Sequence, residues 1–154
     1  MSVKLAEGGA DDLDTVMQVM TSAFSDRYGE AWTRSQCAGI LPMSGVRLVL
    51  ARDGSAVVGF SLYRTIAGDA ELLLLAVDPG AQGRGIGRRL LEHFIEDSKK
   101  NGAEQVHLEV RDGNPAIGLY EAAGFVQSNR RRNYYQGRNG DRFDALTFVL
   151  STDV

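Results

Sequence analysis

The sequence predicts an α/β (α+β) domain, a mixed and mostly antiparallel twisted sheet of about six to seven strands flanked by about four helices. Three observations predict it. Segments of period two alternate with segments of helical period along the whole chain. Asp53-Gly54 joins two apolar strands as a tight turn, which dictates antiparallel pairing. The unbroken apolar run Leu72 to Val77, set before a glycine-rich loop and a strongly amphipathic helix, reads as a central strand covered on both faces.

The elements follow in order. Val3 to Leu5 alternates as a strand, and Asp11 or Asp12 caps a helix whose apolar face is Leu13, Val16, Met17, Met20 and Phe24. Glu30 to Leu41 reads as a second helix, closed by Pro42 and Gly45. Val46 to Arg52 and Val57 to Ile66 form the hairpin, and Ala67-Gly68-Asp69 turns into the strand Glu71 to Val77. Ile86, Leu90, Leu91, Phe94, Ile95 and Ser98 fall on one helical stripe; Lys99 and Lys100 suit its negative end, and Gly102 is placed for a left-handed cap. In Gln105 to Val110 the residues Val106, Leu108 and Val110 face one way, and His107, Glu109 and Arg111 the other. Asn114-Pro115 opens a short helix that Gly124 ends, and Phe125-Val126 and Phe143 to Leu150 supply the last strands.

A chain of 154 residues is long enough for a substantial core and reads as one domain over residues 1–154. Seventeen basic against twenty acidic side chains, a formal charge of −3, argue against a protein that coats nucleic acid. The run Leu72 to Val77 is too short for a bilayer, and no leader pattern opens the chain, so a cytoplasmic location is expected. Cys37 is the only cysteine, and with His93 and His107 it gives no metal-ligand spacing, so no metal is expected.

Between the central strand and the amphipathic helix lies Asp78-Pro79-Gly80-Ala81-Gln82-Gly83-Arg84-Gly85-Ile86-Gly87. Free backbone N–H groups at a helix start, with glycines that admit a bulky anion, make a phosphate site. Arg84, Arg88 and Arg89 oppose the helix dipole unless an anion offsets them. The alternative is a plain glycine-rich turn with solvated arginines. The loop lacks the Lys-Ser/Thr of a P-loop and the third glycine of G-x-G-x-x-G.

Gln82, Gly85 and Gly87 meet the acetyl-CoA signature of the GCN5-related N-acetyltransferase (GNAT) superfamily, which the chain resembles. The likeness extends through Leu75 to Pro79, Leu108 to Arg111 with Asn114, Leu119 to Phe125, and Arg131 to Tyr135. Within the superfamily this block is similar to the bacterial ribosomal-protein-alanine N-acetyltransferases. One departure stands out: only Pro115 separates Asn114 from Ala116-Ile117, where two residues are usual in the family. Were the missing residue taken from the helix, Tyr120 would rotate by about 100°.

The resemblance implies a GNAT-type domain that moves the acetyl group of acetyl-CoA, with no metal, to the N-terminal α-amine of a protein, a small-subunit ribosomal protein beginning with alanine. It implies that Leu75, Ala76 and Val77 hold the pantetheine arm and acetyl carbonyl, and that Gln82, Gly83, Arg84, Gly85, Ile86, Gly87 and Arg88, with Asn114, hold the rest of the cofactor. It makes Glu109 the base and Tyr120 the acid. Each has a plainer account: Glu109 on a solvated strand face, Tyr120 packed beside Leu119 and Phe125, Asn114 as a helix cap, Arg130 to Arg132 as a charged edge. His107, on the face of Glu109, is a second candidate base. Lysine or small-molecule acceptors, and a non-catalytic acyl-CoA-binding module, are the competing functions, because the glycine loop reads the cofactor alone. Acceptor contacts are expected from residues 25–45 and 130–142.

Overall fold

The computed structural model describes residues 2–152. Seven strands form one sheet in the order β1-β2-β3-β4-β5-β7-β6. They are β1 (Val3–Gly8), β2 (Val46–Asp53), β3 (Ala56–Ile66), β4 (Asp69–Val77), β5 (Gln105–Arg111), β6 (Val126–Gln136) and β7 (Arg142–Ser151). Every neighbouring pair is antiparallel except β4 and β5, which run parallel. The helices are α1 (Leu13–Ala23), α2 (Arg34–Ile40), α3 (Ile86–Lys100) and α4 (Ile117–Ala122). The expected fold class is the observed one. Among the described residues no helix is long and apolar enough to cross a membrane.

Strand alternation sorts the core onto two faces of the sheet. On one face α3 buries Ile86, Leu90, Leu91, Phe94 and Ser98 against Val49, Tyr63, Leu72, Val106, Leu108 and Phe148. Each such apolar side chain contributes about 1.5–3 kcal/mol. On the other face Leu13, Val16, Val19 and Met20 of α1 and Cys37 of α2 cover Leu48, Leu50, Phe60, Leu62, Leu74 and Ala76. This second core is made with β2, β3 and β4, whereas further along the same face come the polar His107, Glu109 and Arg111 of β5.

Three expectations about elements are corrected. The second helix starts at Arg34, not Glu30: the Thr33 hydroxyl accepts from Gln36 N at 3.1 Å while the Gln36 side chain accepts from Thr33 N at 2.7 Å, a reciprocal cap that stops the helix there. Glu30 is left free for another role. The Asp12 side chain accepts from Gly9 N at 2.9 Å, closing a single turn of 3-10 helix ahead of α1, and makes no cap bond to α1 itself. β6 runs on to Gln136, far past Val126; it is exposed along most of its length and carries polar residues on both sides, so it shows no alternation.

Candidate active site

The parallel pairing of β4 with β5 spans only Asp69↔Gln105 to Leu72↔Leu108. Beyond Leu72 the strands part. β4 carries a bulge there: Leu74 pairs Leu62 and Leu72 pairs Tyr63, so Leu73 is the extra residue. A bulge bends its strand and raises the local twist. It also places Leu73 and Leu74 toward the same core and returns Leu75 and Val77 to the α3 side. The consequence is a cleft of about 630 Å³ between Leu73–Val77 and Glu109–Arg111, its ends formed by the loop before α3, the start of α4, Tyr28 and Glu30, and Tyr135.

The β4 edge of this cleft offers main-chain groups. Antiparallel pairing directs successive backbone groups to alternate edges. Asp78 N–H is spent on Val58 O at 2.8 Å, so Val77 N–H and C=O face the open side, where the Gln82 amide donates to Val77 O at 3.3 Å. Asp78 Oδ1 accepts from Gly80 N at 2.9 Å and fixes the turn that follows. Gly85 then starts α3 in a left-handed conformation, φ 76°, as does Gly83 at 81°, and a Cβ on either would meet nothing within 4 Å. The first helical N–H groups are thereby open at the positive end of a 15-residue helix.

The three arginines turn to protein partners. Arg84 Nη2 lies 3.0 Å from Asp53 Oδ2, outside the cleft; Arg89 Nη1 donates to Val3 O at 2.6 Å; and Arg88 Nε donates to Glu92 at 2.7 Å. Each cation has a protein partner, so the case for an anion rests on the backbone and glycines, with Arg88 at the rim.

Across the cleft stand side chains. Glu109 Oε1 lies 3.2 Å from Arg131 Nη2, while its Oε2 is buried and has no hydrogen-bond partner. Tyr120 is buried, 6% exposed, its ring edge-on to Phe125. Burial, then the field of Glu30, then Tyr135, push its phenol above the usual tyrosine range. Tyr135 is raised likewise by burial, Glu109, Glu30 and Tyr134, with Arg111 opposing. Both phenols hold their protons. Tyr120 faces the cleft, so the short Asn114-Pro115 connection does not turn it away.

Glu30 organises the end of the cleft beside Asn114 and Arg111. Its Oε1 accepts from Asn114 Nδ2 at 2.7 Å and lies 3.1 Å from Arg111 Nε, whose N–H is not directed for a hydrogen bond. The two side chains are 10% and 8% exposed, a buried pair. The Arg111 guanidinium lies 3.6 Å from the Tyr28 ring centroid, and Asn114 Oδ1 also accepts from Ala116 N at 2.8 Å. The segment carrying Tyr28 and Glu30 is tied down by main chain: a Cβ at Gly29 would collide with Gln136 O and one at Gly137 with Arg27 O, and Arg138 N donates to Asp26 O at 3.0 Å.

Leu75, Ala76, Val77, Gln82, Gly83, Gly85, Ile86, Gly87, Arg88, Glu109, Asn114 and Tyr120 therefore line one cleft, and of the expected set only Arg84 does not. His107 does not line it either; it sits between Asp69, 3.2 Å away, and Glu71, 3.8 Å away. Tyr28, Glu30 and Tyr135 line the cleft from within the segments 25–45 and 130–142, where sequence does not single out individual residues, and Arg111 joins them from β5. Tyr135 turns inward through a bulge: Arg131 pairs Ala145 but Tyr135 pairs Phe143, with Asn133 left-handed at φ 54° and its N–H on Asp144 at 2.9 Å.

A parted parallel pair with open backbone on one strand, a glycine-lined helix start beside it, and a protonated phenol and a carboxylate facing it are the parts that acyl transfer needs. The model of the acetyltransferase (GNAT) family matches residues 13–125, and the chain belongs to this family. It is 42% identical over 102 residues to the [ribosomal protein bS18]-alanine N-acetyltransferase of Escherichia coli K12, covering 66% of this chain and 68% of that protein. It is 41% identical over 98 residues to the N-alpha-acetyltransferase RimI of Mycobacterium tuberculosis H37Rv, with 60% of each chain covered. The crystal structure of the ribosomal-protein-S18-alanine N-acetyltransferase from Escherichia coli superposes with a TM-score of 0.89 at 29% identity, over 99% of this chain and 96% of that one.

Proposed function

We propose that this acetyltransferase moves the acetyl group of acetyl-CoA to the N-terminal α-amine of a protein in the cytoplasm, and that its acceptor is a small-subunit ribosomal protein beginning with alanine. One observation carries the chemistry: Glu109 and Tyr120, from separate elements, face one cleft whose opposite wall is unpaired main chain of β4. The likeness to the bS18-alanine enzyme of Escherichia coli supports the acceptor.

The chain fits acetyl-CoA on its own donors. The N–H groups of Gly83 to Arg88 suit a pyrophosphate, and the open edge Leu73 to Val77 suits an amide-bearing arm. Acetyl-CoA supplies an acetyl carbon activated as a thioester. Val77 N–H is the donor placed for its carbonyl oxygen. Glu109 takes a proton from the amine as nitrogen bonds to the acetyl carbon; the carbon–sulfur bond breaks, and Tyr120 gives its proton to the leaving thiolate. A free α-amine, with a pKa of about 7.7–8.0 against about 10.4 for lysine, is the easier nucleophile near neutrality.

Three versions of one alanine-initiated peptide test the acceptor: free N-terminus with lysines, blocked N-terminus with lysines, and free N-terminus with arginine for lysine. Acetyl transfer, followed by mass spectrometry, is expected only where the N-terminus is free. Equal turnover of the blocked peptide would move the enzyme to the lysine-acetylating class, and turnover of small amines alone would take it out of protein modification.

A further inference from the structure

The cation beside Glu109 comes from β6, the exposed edge strand, and reaches past β7 to a residue of β5. Its backbone register puts Arg131 opposite Ala145, which in turn faces Arg111; the contact with Glu109, opposite Thr147, is therefore diagonal. The arginine side chain is 54% exposed and the glutamate 18%. An ion pair with one partner so open to solvent contributes little to stability. Its geometric effect is larger. Oε1 lies against the guanidinium while Oε2 is buried without a hydrogen-bond partner, so among the described residues the contact with Arg131 is what sets the rotation of the carboxylate in the cleft wall. The other groups about this carboxylate are Glu71 of β4, His107 of β5, Thr147 of β7, and Tyr135 of β6. Two permanent cations flank it: Arg131, 3.2 Å from Oε1, and Arg111, two residues on in β5, which is paired with Glu30. The carboxyl of Glu71, pushed up by burial, is opposed by His107 and Arg131 and reinforced by Glu109, so the two carboxylates share Arg131.

We propose that Arg131 is a positioning residue for the reaction: by holding Oε1 of Glu109 it fixes the rotation of the carboxylate that takes the proton of the acceptor amine. The proposal rests on Glu109 being the base. The proton of the amine passes to the Glu109 carboxylate, the nitrogen–carbon bond forms as the carbon–sulfur bond breaks, and the sulfur takes the Tyr120 proton. Arg131 gains and loses nothing. Its contribution is orientation, and it vanishes when the carboxylate is gone.

A kinetic double-mutant cycle tests this. Arg131→Gln should lower kcat about tenfold, within the coupling that neighbours in one ion-pair network show, while acetyl-CoA affinity by calorimetry and Tm stay at wild-type values. Arg131→Lys should restore part of the loss. In a Glu109→Gln background, Arg131→Gln should cost nothing further. Undiminished kcat in Arg131→Gln, or an equal loss with and without Glu109, would overturn the proposal while leaving Glu109 as base. Wild-type turnover in Glu109→Gln alone would instead remove the base assignment, and the positioning role with it.

Discussion

The two walls of the cleft are built from different material. From Leu73 to Gly87 the protein offers main-chain groups released by a bulge, by glycines and by a helix start, all within one stretch of sequence. The opposite wall is made of side chains, Tyr28, Glu30, Glu109, Arg111, Tyr120 and Tyr135, gathered from the segment before α2, from β5, α4 and β6. A backbone wall reads what every acyl-CoA shares, and it tolerates many side chains. In the function proposed above the side-chain wall performs the proton transfers and meets the variable partner, and each of its members is exposed to single substitutions.

The comparison can be broken most severely at Glu109 and Tyr120. Glu109→Gln and Tyr120→Phe should each lower kcat by about 10²-fold or more, the range of general acid–base catalysis, with acetyl-CoA affinity nearly unchanged in calorimetry. A large loss of acetyl-CoA affinity in either variant would mean that the walls are not functionally separate. Next comes the buried pair that joins the acceptor segment to β5. Glu30→Ala leaves Arg111 uncompensated and should destabilise the fold by about 3–5 kcal/mol in denaturant titration, whereas a cost below about 1 kcal/mol would show that water reaches the guanidinium. The smallest effect is expected on the backbone wall. Gly85→Asn keeps the left-handed backbone accessible while filling the open space, and should weaken acetyl-CoA about tenfold with a nearly unchanged Tm. Unchanged affinity would move the phosphate site elsewhere.

The same contrast explains what was legible in the sequence. Gln82, Gly83, Gly85 and Gly87 announce themselves because positive φ and an open helix start leave a glycine spacing that local reasoning reads. The bulge at Leu73 was hidden, since a run of leucines looks the same whichever face each one takes. Glu30 was read as the start of a helix, and the Thr33–Gln36 cap that excludes it was a signal available in the sequence. The helix dipole makes Arg84 and Arg89 look misplaced without an anion, but their partners, Asp53 and the Val3 carbonyl, lie 31 and 86 residues away, and nothing local points to them. Tyr135 owes its inward turn to a bulge around Asn133, whose Asp144 partner is 11 residues on.

The crossing of Gly29 over Gln136 and of Gly137 over Arg27 joins the two lips of the cleft at this end before any ligand arrives. Their contact is made by main chain and reinforced by Arg138, whose guanidinium lies 3.0 Å from Asp26 Oδ2 across 112 residues of sequence. Segments already held together lose little freedom when a partner enters, so the entropy of ordering this mouth is spent at folding and not at binding. Whatever enters there meets a frame set in advance, and the ordering cost that remains is its own.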